Sequence, residues 1–131
     1  MVPVFSHGIE AYFSELEGVL REFPSIRSST LTKKVYNLQQ GFIGGKIVFE
    51  NSHSLEFAEV VNLERAGKVM YRYQYMDAEQ NLIFRYDNAP HHPEVRSFPH
   101  HKHTLGGVTD GQEPGLAEVL FEISGMERKN N

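Results

Sequence analysis

Ile9, Tyr12, Phe13, Leu16, Val19, Leu20 and Phe23 recur at spacings of three, one, three, three, one and three. That rhythm predicts an amphipathic helix with one apolar face turned to a core. Glu10, Glu15, Glu17 and Arg21 fill polar positions, and Glu17 with Arg21 is an i,i+4 pair in the favourable order. Ser6 is the expected N-cap, and Pro24 ends the helix near Phe23. From Ser28 to Asp87 the period falls to two. A first strand is expected over 29–38, and strands over 42–50 and 54–63 form a hairpin around Asn51-Ser52-His53. Pairing Phe49 with Leu55 sets Ile47 against Phe57 on one face. Leu55, Phe57, Val61 and Leu63 share that face, which Glu59 interrupts, while Gly44 and Gly45 mark a bulge or a close backbone approach.

The alternation is clearest further on. Val69, Tyr71, Tyr73 and Tyr75 alternate with Met70, Arg72, Gln74 and Met76; Leu82, Phe84 and Tyr86 alternate with Ile83, Arg85 and Asp87. With Tyr75 opposite Leu82, the tyrosines and Phe84 form an aromatic core face, and Arg72 falls opposite Arg85 on the other face. Like charges so placed are destabilising unless an anion joins them. The anion is either a phosphate or a carboxylate from Glu56, Glu59 or Asp87. A register shift of two would set Arg72 against Asp87 and remove the clash.

Asn88-Ala89-Pro90 is a turn signal, Val95–Phe98 a short extended edge, and Pro99 resets the chain. If 100–103 is extended, His101 and His103 share one face, with His100 and Lys102 on the other. Residues 106–115 read as a loop. Pro114 suits the first turn of a closing helix carrying Leu116, Val119, Leu120 and Ile123, with Gly125 as its stop and 125–131 as a frayed tail. These elements predict an α+β fold: an antiparallel sheet of about five strands with an N-terminal and a C-terminal helix packed on one face. The whole chain, 1–131, is expected to be one domain, and its helix-free face carries Arg72 and Arg85.

Composition narrows the function. A 40% hydrophobic and 23% charged chain of 131 residues is ordinary for a soluble globular domain. The absence of cysteine excludes disulfides and thiolate metal sites. MVPVF is too short for a signal peptide and no apolar run approaches the ~20 residues of a membrane span, so a cytoplasmic protein with no membrane partner is expected. A net charge of −4 argues against indiscriminate nucleic-acid binding. Within 85–103, however, Arg85, Arg96 and Lys102 outnumber Asp87 and Glu94, so any RNA contact should be a focused site.

That same stretch, RYDNAPHHPEVRSFPHHKH, holds five of the seven histidines and three prolines. Histidine exchanges protons near neutral pH and is the commonest metal ligand. The segments YRYQYMD (71–77), LIFRYDNAPHH (82–92) and FPHHKH (98–103), with the N-terminal helix and LAEVLFEI (116–123), resemble the TumE family of small bacterial and archaeal toxins. The resemblance spans most of the chain. It implies a toxin encoded beside a DNA-binding, helix-turn-helix antitoxin, with RNA or the ribosome as target, and it assigns no residue roles.

Three chemistries fit the residues. A metal-independent endoribonuclease, needing no cofactor, would use His101, His103, His91 and His92 as base and acid. Asp87 would orient a histidine, and Arg72, Arg85 and Lys102 would hold the phosphate. Alternatively, His101 and His103 with His91, His92 or Asp87 could hold zinc and hydrolyse phosphate esters, although no HExxH motif is present. The third reading is a non-catalytic inhibitor that uses the same face for contacts alone. Exposed sheet edges also allow a homodimer or cover by an antitoxin.

Overall fold

The structure is a computed structural model that describes residues 8–129. Helix α1 spans Ile9–Arg21; the strands are β1 (Ile26–Asn37), β2 (Gln40–Phe49), β3 (Ser54–Asn62), β4 (Met70–Met76), β5 (Leu82–Asp87), β6 (His101–Thr104) and β7 (Gly107–Asp110); helix α2 spans Leu116–Lys129. Each strand pairs antiparallel with the next, so the sheet is a meander in chain order. The α+β architecture is as expected, with seven strands in place of about five. The two additions come from 101–110, where the expected loop turns back over Leu105-Gly106 and Gly107 takes a φ of 117°. Four-residue strands carry too little alternation to be seen in the pattern.

Period-two patterning decides which face is buried. Ile43, Ile47, Leu55, Phe57, Tyr71, Tyr73, Tyr75 and Phe84 project from one face and are at most 3% exposed. Against them pack Ile9, Phe13, Leu16 and Leu20 of α1, and Leu116, Val119, Leu120 and Ile123 of α2. Each such side chain contributes about 1.5–3 kcal/mol by leaving water. Both helices lie on this face: Tyr12 of α1 reaches Glu59, and Glu122 of α2 reaches Tyr86.

Several boundaries differ from expectation. The N-cap of α1 is Gly8, without a side-chain cap, and Ser6 lies outside the described residues. Val95–Phe98 lies in consecutive turns and forms no strand. Pro114 stands before α2, where its carbonyl accepts a bond from Lys68 Nζ (3.0 Å). Gly125 does not stop α2, which continues to Lys129, so Met126–Lys129 is helix and not a frayed tail. Among the described residues no helix is long and apolar enough to cross a membrane.

The β2–β3 register is Ile47↔Leu55 and Gly45↔Phe57, two residues from the expected pairing. The turn takes up Phe49–His53, closed by Phe49 N–H donating to the His53 carbonyl (2.9 Å), with Ser52 at a φ of 70°. A shift of two leaves every side chain on its own face, so the core is unchanged. The glycines of β2 mark close approach: a Cβ on Gly45 would come within 2.0 Å of the Thr30 carbonyl oxygen of β1. Gly45→Ala is therefore expected to lower stability by about 1–3 kcal/mol. Gly18→Ala, with only the Arg21 guanidinium 3.7 Å away on α1, should raise it by about 1 kcal/mol. Urea denaturation of the two variants checks both signs.

Glu59, which breaks the apolar run of β3, is completely buried and accepts hydrogen bonds from Tyr12 and Tyr73 hydroxyls. Burial, then the Glu59 charge, pushes both hydroxyls well above the ordinary tyrosine pKa.

Candidate functional site

The helix-free face is set by the β4–β5 register. Tyr73 pairs with Tyr86 and Tyr75 with Phe84, but Met76 pairs with Leu82, so Ile83 is an extra residue on β5. The turn over Asp77–Asn81 and this extra residue each move the pairing by one, two in all from expectation. Arg72 therefore faces Asp87, and Arg85 faces Gln74. The predicted clash of Arg72 with Arg85 does not exist. A carboxylate occupies the position where a phosphate had been the alternative.

Asp87, only 7% exposed, is the hub. Its Oδ1 accepts from the Ala89 N–H (3.0 Å) and lies 2.9 Å from His101 Nε2. Its Oδ2 accepts from Arg85 Nε (3.0 Å) and lies 3.5 Å from His103 Nε2. The antiparallel β5–β6 ladder creates this arrangement, since Asp87 pairs with His101 and Arg85 with His103.

The partners assign the ring protons. His101 is 1% exposed, with Nδ1 2.9 Å from the Pro99 carbonyl oxygen and Nε2 against the Asp87 carboxylate. Both neighbours are acceptors, so each of its ring nitrogens is already engaged. His103 is the opposite case. Its Nε2 lies 3.1 Å from Arg85 Nη2, a group that only donates. Nε2 therefore accepts, and the ring is neutral with its proton on Nδ1. Partial burial and the Arg85 charge hold the His103 pKa below the ordinary histidine value, against a smaller upward pull from Asp87.

The segment between β5 and β6 carries His92 over this pair. His92 Nδ1 donates to Glu94 Oε1 (3.0 Å), which directs Nε2 away from that carboxylate. The His92, His101 and His103 rings meet edge to face, with centroids 4.7–5.3 Å apart. These groups, with Arg72 and an exposed His91 at the rim, line a cleft of 330 Å³. Arg72 is exposed and makes no ion pair or side-chain hydrogen bond among the described residues.

Two residues of the histidine stretch face elsewhere. Lys102 lies on the helix face, where its Nζ donates to Glu122 Oε2 (2.8 Å), so it cannot serve the cleft as a phosphate anchor. His100 stacks on Tyr71 and bonds its hydroxyl (2.9 Å). The ladder with β5 separates these faces as the extended pattern of 100–103 predicts. Of the two expected guanidinium anchors, Arg85 is bound to Asp87 and only Arg72 is free to take an anion. Glu94 and the Pro99 carbonyl orient two of the histidines, and nothing in their sequence spacing marks them for it.

The same geometry bears on metal binding. One ring nitrogen from each of His92, His101 and His103 lies within 4.8 Å of the others, a spacing that modest rearrangement would bring to the ~2.0–2.1 Å bonds of a zinc site. The Nδ1 contacts to Pro99 and Glu94 are of the kind that orient metal-binding imidazoles. Against this, His101 Nε2 is bonded to Asp87, and His103 Nε2 faces the Arg85 cation.

A comparison with protein families matches residues 16–127 to the family described as Toxin TumE. No curated protein and no solved structure matches the chain.

Proposed function

The chain belongs to the TumE toxin family, and from that premise we propose that it is the toxin of a toxin–antitoxin pair and cleaves RNA without a metal at the Arg72–histidine cleft. The observation that carries this reading is the neutral His103, its Nε2 lone pair turned to the cleft and capped only by the Arg85 guanidinium, beside an Asp87–His101 pair. A phosphate entering beside Arg72 draws the Arg85 guanidinium toward itself and releases His103 Nε2. That nitrogen takes the proton of the ribose 2′-hydroxyl as the 2′-oxygen forms its bond to phosphorus. The bond from phosphorus to the 5′-oxygen breaks, and His92 Nε2 supplies the proton to the leaving oxygen, giving a 2′,3′-cyclic phosphate. Arg72 and Arg85 balance the charge that builds on the phosphate. His101 and Asp87 act as positioning residues, because both nitrogens of His101 are already bonded and the ring is buried. His91 stands at the rim as a substrate contact.

Three observations separate this from the other readings. Purified wild type, assayed on single-stranded RNA in excess chelator, should yield cyclic phosphate ends. Arg72→Ala should slow that cleavage by roughly 10²-fold, the scale of losing one preorganised charge-stabilising group. The zinc reading, favoured by the three converging nitrogens, requires stoichiometric metal in untagged protein and activity lost to chelator. Growth arrest with intact RNA would instead leave an inhibitor that works by contact alone.

A further inference from the structure

We infer that the substrate is a single RNA strand that crosses the helix-free face of the sheet from β1 toward the cleft, along a track through Lys34, Phe42 and Lys46 to Arg72. The inference rests on RNA being the target of the cleft.

Charge is segregated along the chain. From Ile26 to Phe49 there is no carboxylate, although the chain holds seventeen, and Arg27, Lys33, Lys34 and Lys46 fall in this stretch. Strand pairing then sorts these cations by face. Lys34 pairs with Phe42, and Thr30 with Lys46, on the same face as Arg72 and Arg85. Lys33 faces the other way and pairs with Glu17 of α1 (2.9 Å).

The rows across the strands carry small side chains up to Arg72. Thr32, Gly44, Ala58 and Arg72 are successive cross-strand neighbours, so small side chains lead directly to the exposed guanidinium. The Phe42 ring leans into this row: a Cβ on Gly44 would come within 2.9 Å of Phe42 Cζ. Half-buried Phe42, with Lys34 Nζ 5.8 Å from its centroid, is an apolar platform beside a cation. Aromatic platforms flanked by cations are how sheets hold unpaired bases. The flanking row places exposed Lys46 opposite Glu56, the single carboxylate among the face residues of β1–β4. From β1 to β4 the track covers ~14 Å at about 4.8 Å per strand. A duplex has its bases stacked inside and offers Phe42 none, which is why a single strand is the fit.

The test is fluorescence anisotropy with a labelled 2′-O-methyl RNA, which binds but has no 2′-hydroxyl to react, so the measurement does not depend on cleavage. Lys34→Glu/Lys46→Glu should weaken binding about tenfold or more and flatten the log–log salt dependence by about 1.4, at ~0.7 per lost phosphate contact. Phe42→Leu, which keeps an apolar side chain over Gly44, should weaken single-strand binding and leave the melting temperature nearly unchanged. Lys33→Glu, an equal change of charge per residue on the opposite face, should bind as wild type within about twofold. A loss in Lys33→Glu half as large, on the logarithmic scale, as that in the double variant would reduce the effect to net charge and overturn the track. Equal affinity for duplex and single strand, or no RNA binding by wild type, would overturn it too. Wild-type cleavage with undiminished binding in the double lysine variant would refute the track and leave the cleft chemistry standing. Loss of binding in that variant without any cleavage by wild type would do the reverse.

Discussion

Replacing His103 by Ala is expected to slow RNA cleavage by about 10²–10⁴-fold, the usual contribution of a positioned general base. The side chain is partly exposed on the short strand β6 and belongs to no apolar contact of the core, so the melting temperature should stay close to wild type. The pH profile makes the prediction specific to a base. Burial and Arg85 lower the His103 pKa from its ordinary 6.5. A base with a lowered pKa remains unprotonated to more acidic pH, so the acidic limb of kcat/KM should lie below 6.5. Arg85→Gln removes the cation that depresses it and leaves Asp87, which acts upward. The limb should therefore move to higher pH in that variant. A wild-type limb above 6.5, or an Arg85→Gln limb that does not move, would remove His103 from the role of base even if its loss slows cleavage.

Why the faces were legible in the sequence and the register was not follows from the period of a strand. Tyr71, Tyr73, Tyr75 and Phe84 alternate with polar neighbours, so the pattern fixes which side of the sheet each occupies. It says nothing of a slip by two residues, which preserves every face. Both hairpins differ in this way, one because the turn absorbs Phe49–His53 and the other because the Asp77–Asn81 turn and the extra Ile83 each contribute one residue. The second slip mattered for chemistry, since it exchanged an Arg72–Arg85 opposition for Arg72–Asp87 and left one free guanidinium where two were expected. The candidate site itself was largely visible, because prolines and histidines concentrate in 85–103 and the alternation at 100–103 separates His101 and His103 from His100 and Lys102. The histidine-rich stretch marks His92 as a candidate, but its place over the pair depends on turns through 91–100 that have no periodicity. Burial was also hidden: a catalytic assignment for His101 is natural from its neighbours, and only the Pro99 and Asp87 contacts show both its nitrogens already engaged.

Glu59→Leu should be the most damaging single change to stability, at about 2–5 kcal/mol, although it replaces a buried charge with an apolar side chain of similar size. The loss comes from what the carboxylate leaves behind. Tyr12 and Tyr73 hydroxyls would both lose their acceptor inside the core, and an unsatisfied buried polar group costs about 1–3 kcal/mol. Removing all three polar partners together, as Tyr12→Phe/Glu59→Leu/Tyr73→Phe, takes away the orphaned groups and should restore much of the loss, which measured independently of the cluster would not happen. Alkaline pH probes the same cluster. Both hydroxyls titrate above the ordinary value of 10 in the folded protein, through burial first and Glu59 second. Folding therefore favours their protonated forms, and that stability is complete below pH 10 and lost as pH rises beyond it. Tyr75, pushed up to about 12 by burial, adds to the same slope and remains in the triple variant. Urea midpoints measured from neutral pH upward should fall above pH 10 in wild type, and fall less steeply in the triple variant. A Glu59→Leu protein as stable as wild type would show that the two tyrosines do not depend on the buried carboxylate, and identical alkaline slopes would show that their hydroxyls do not carry the loss of stability above pH 10.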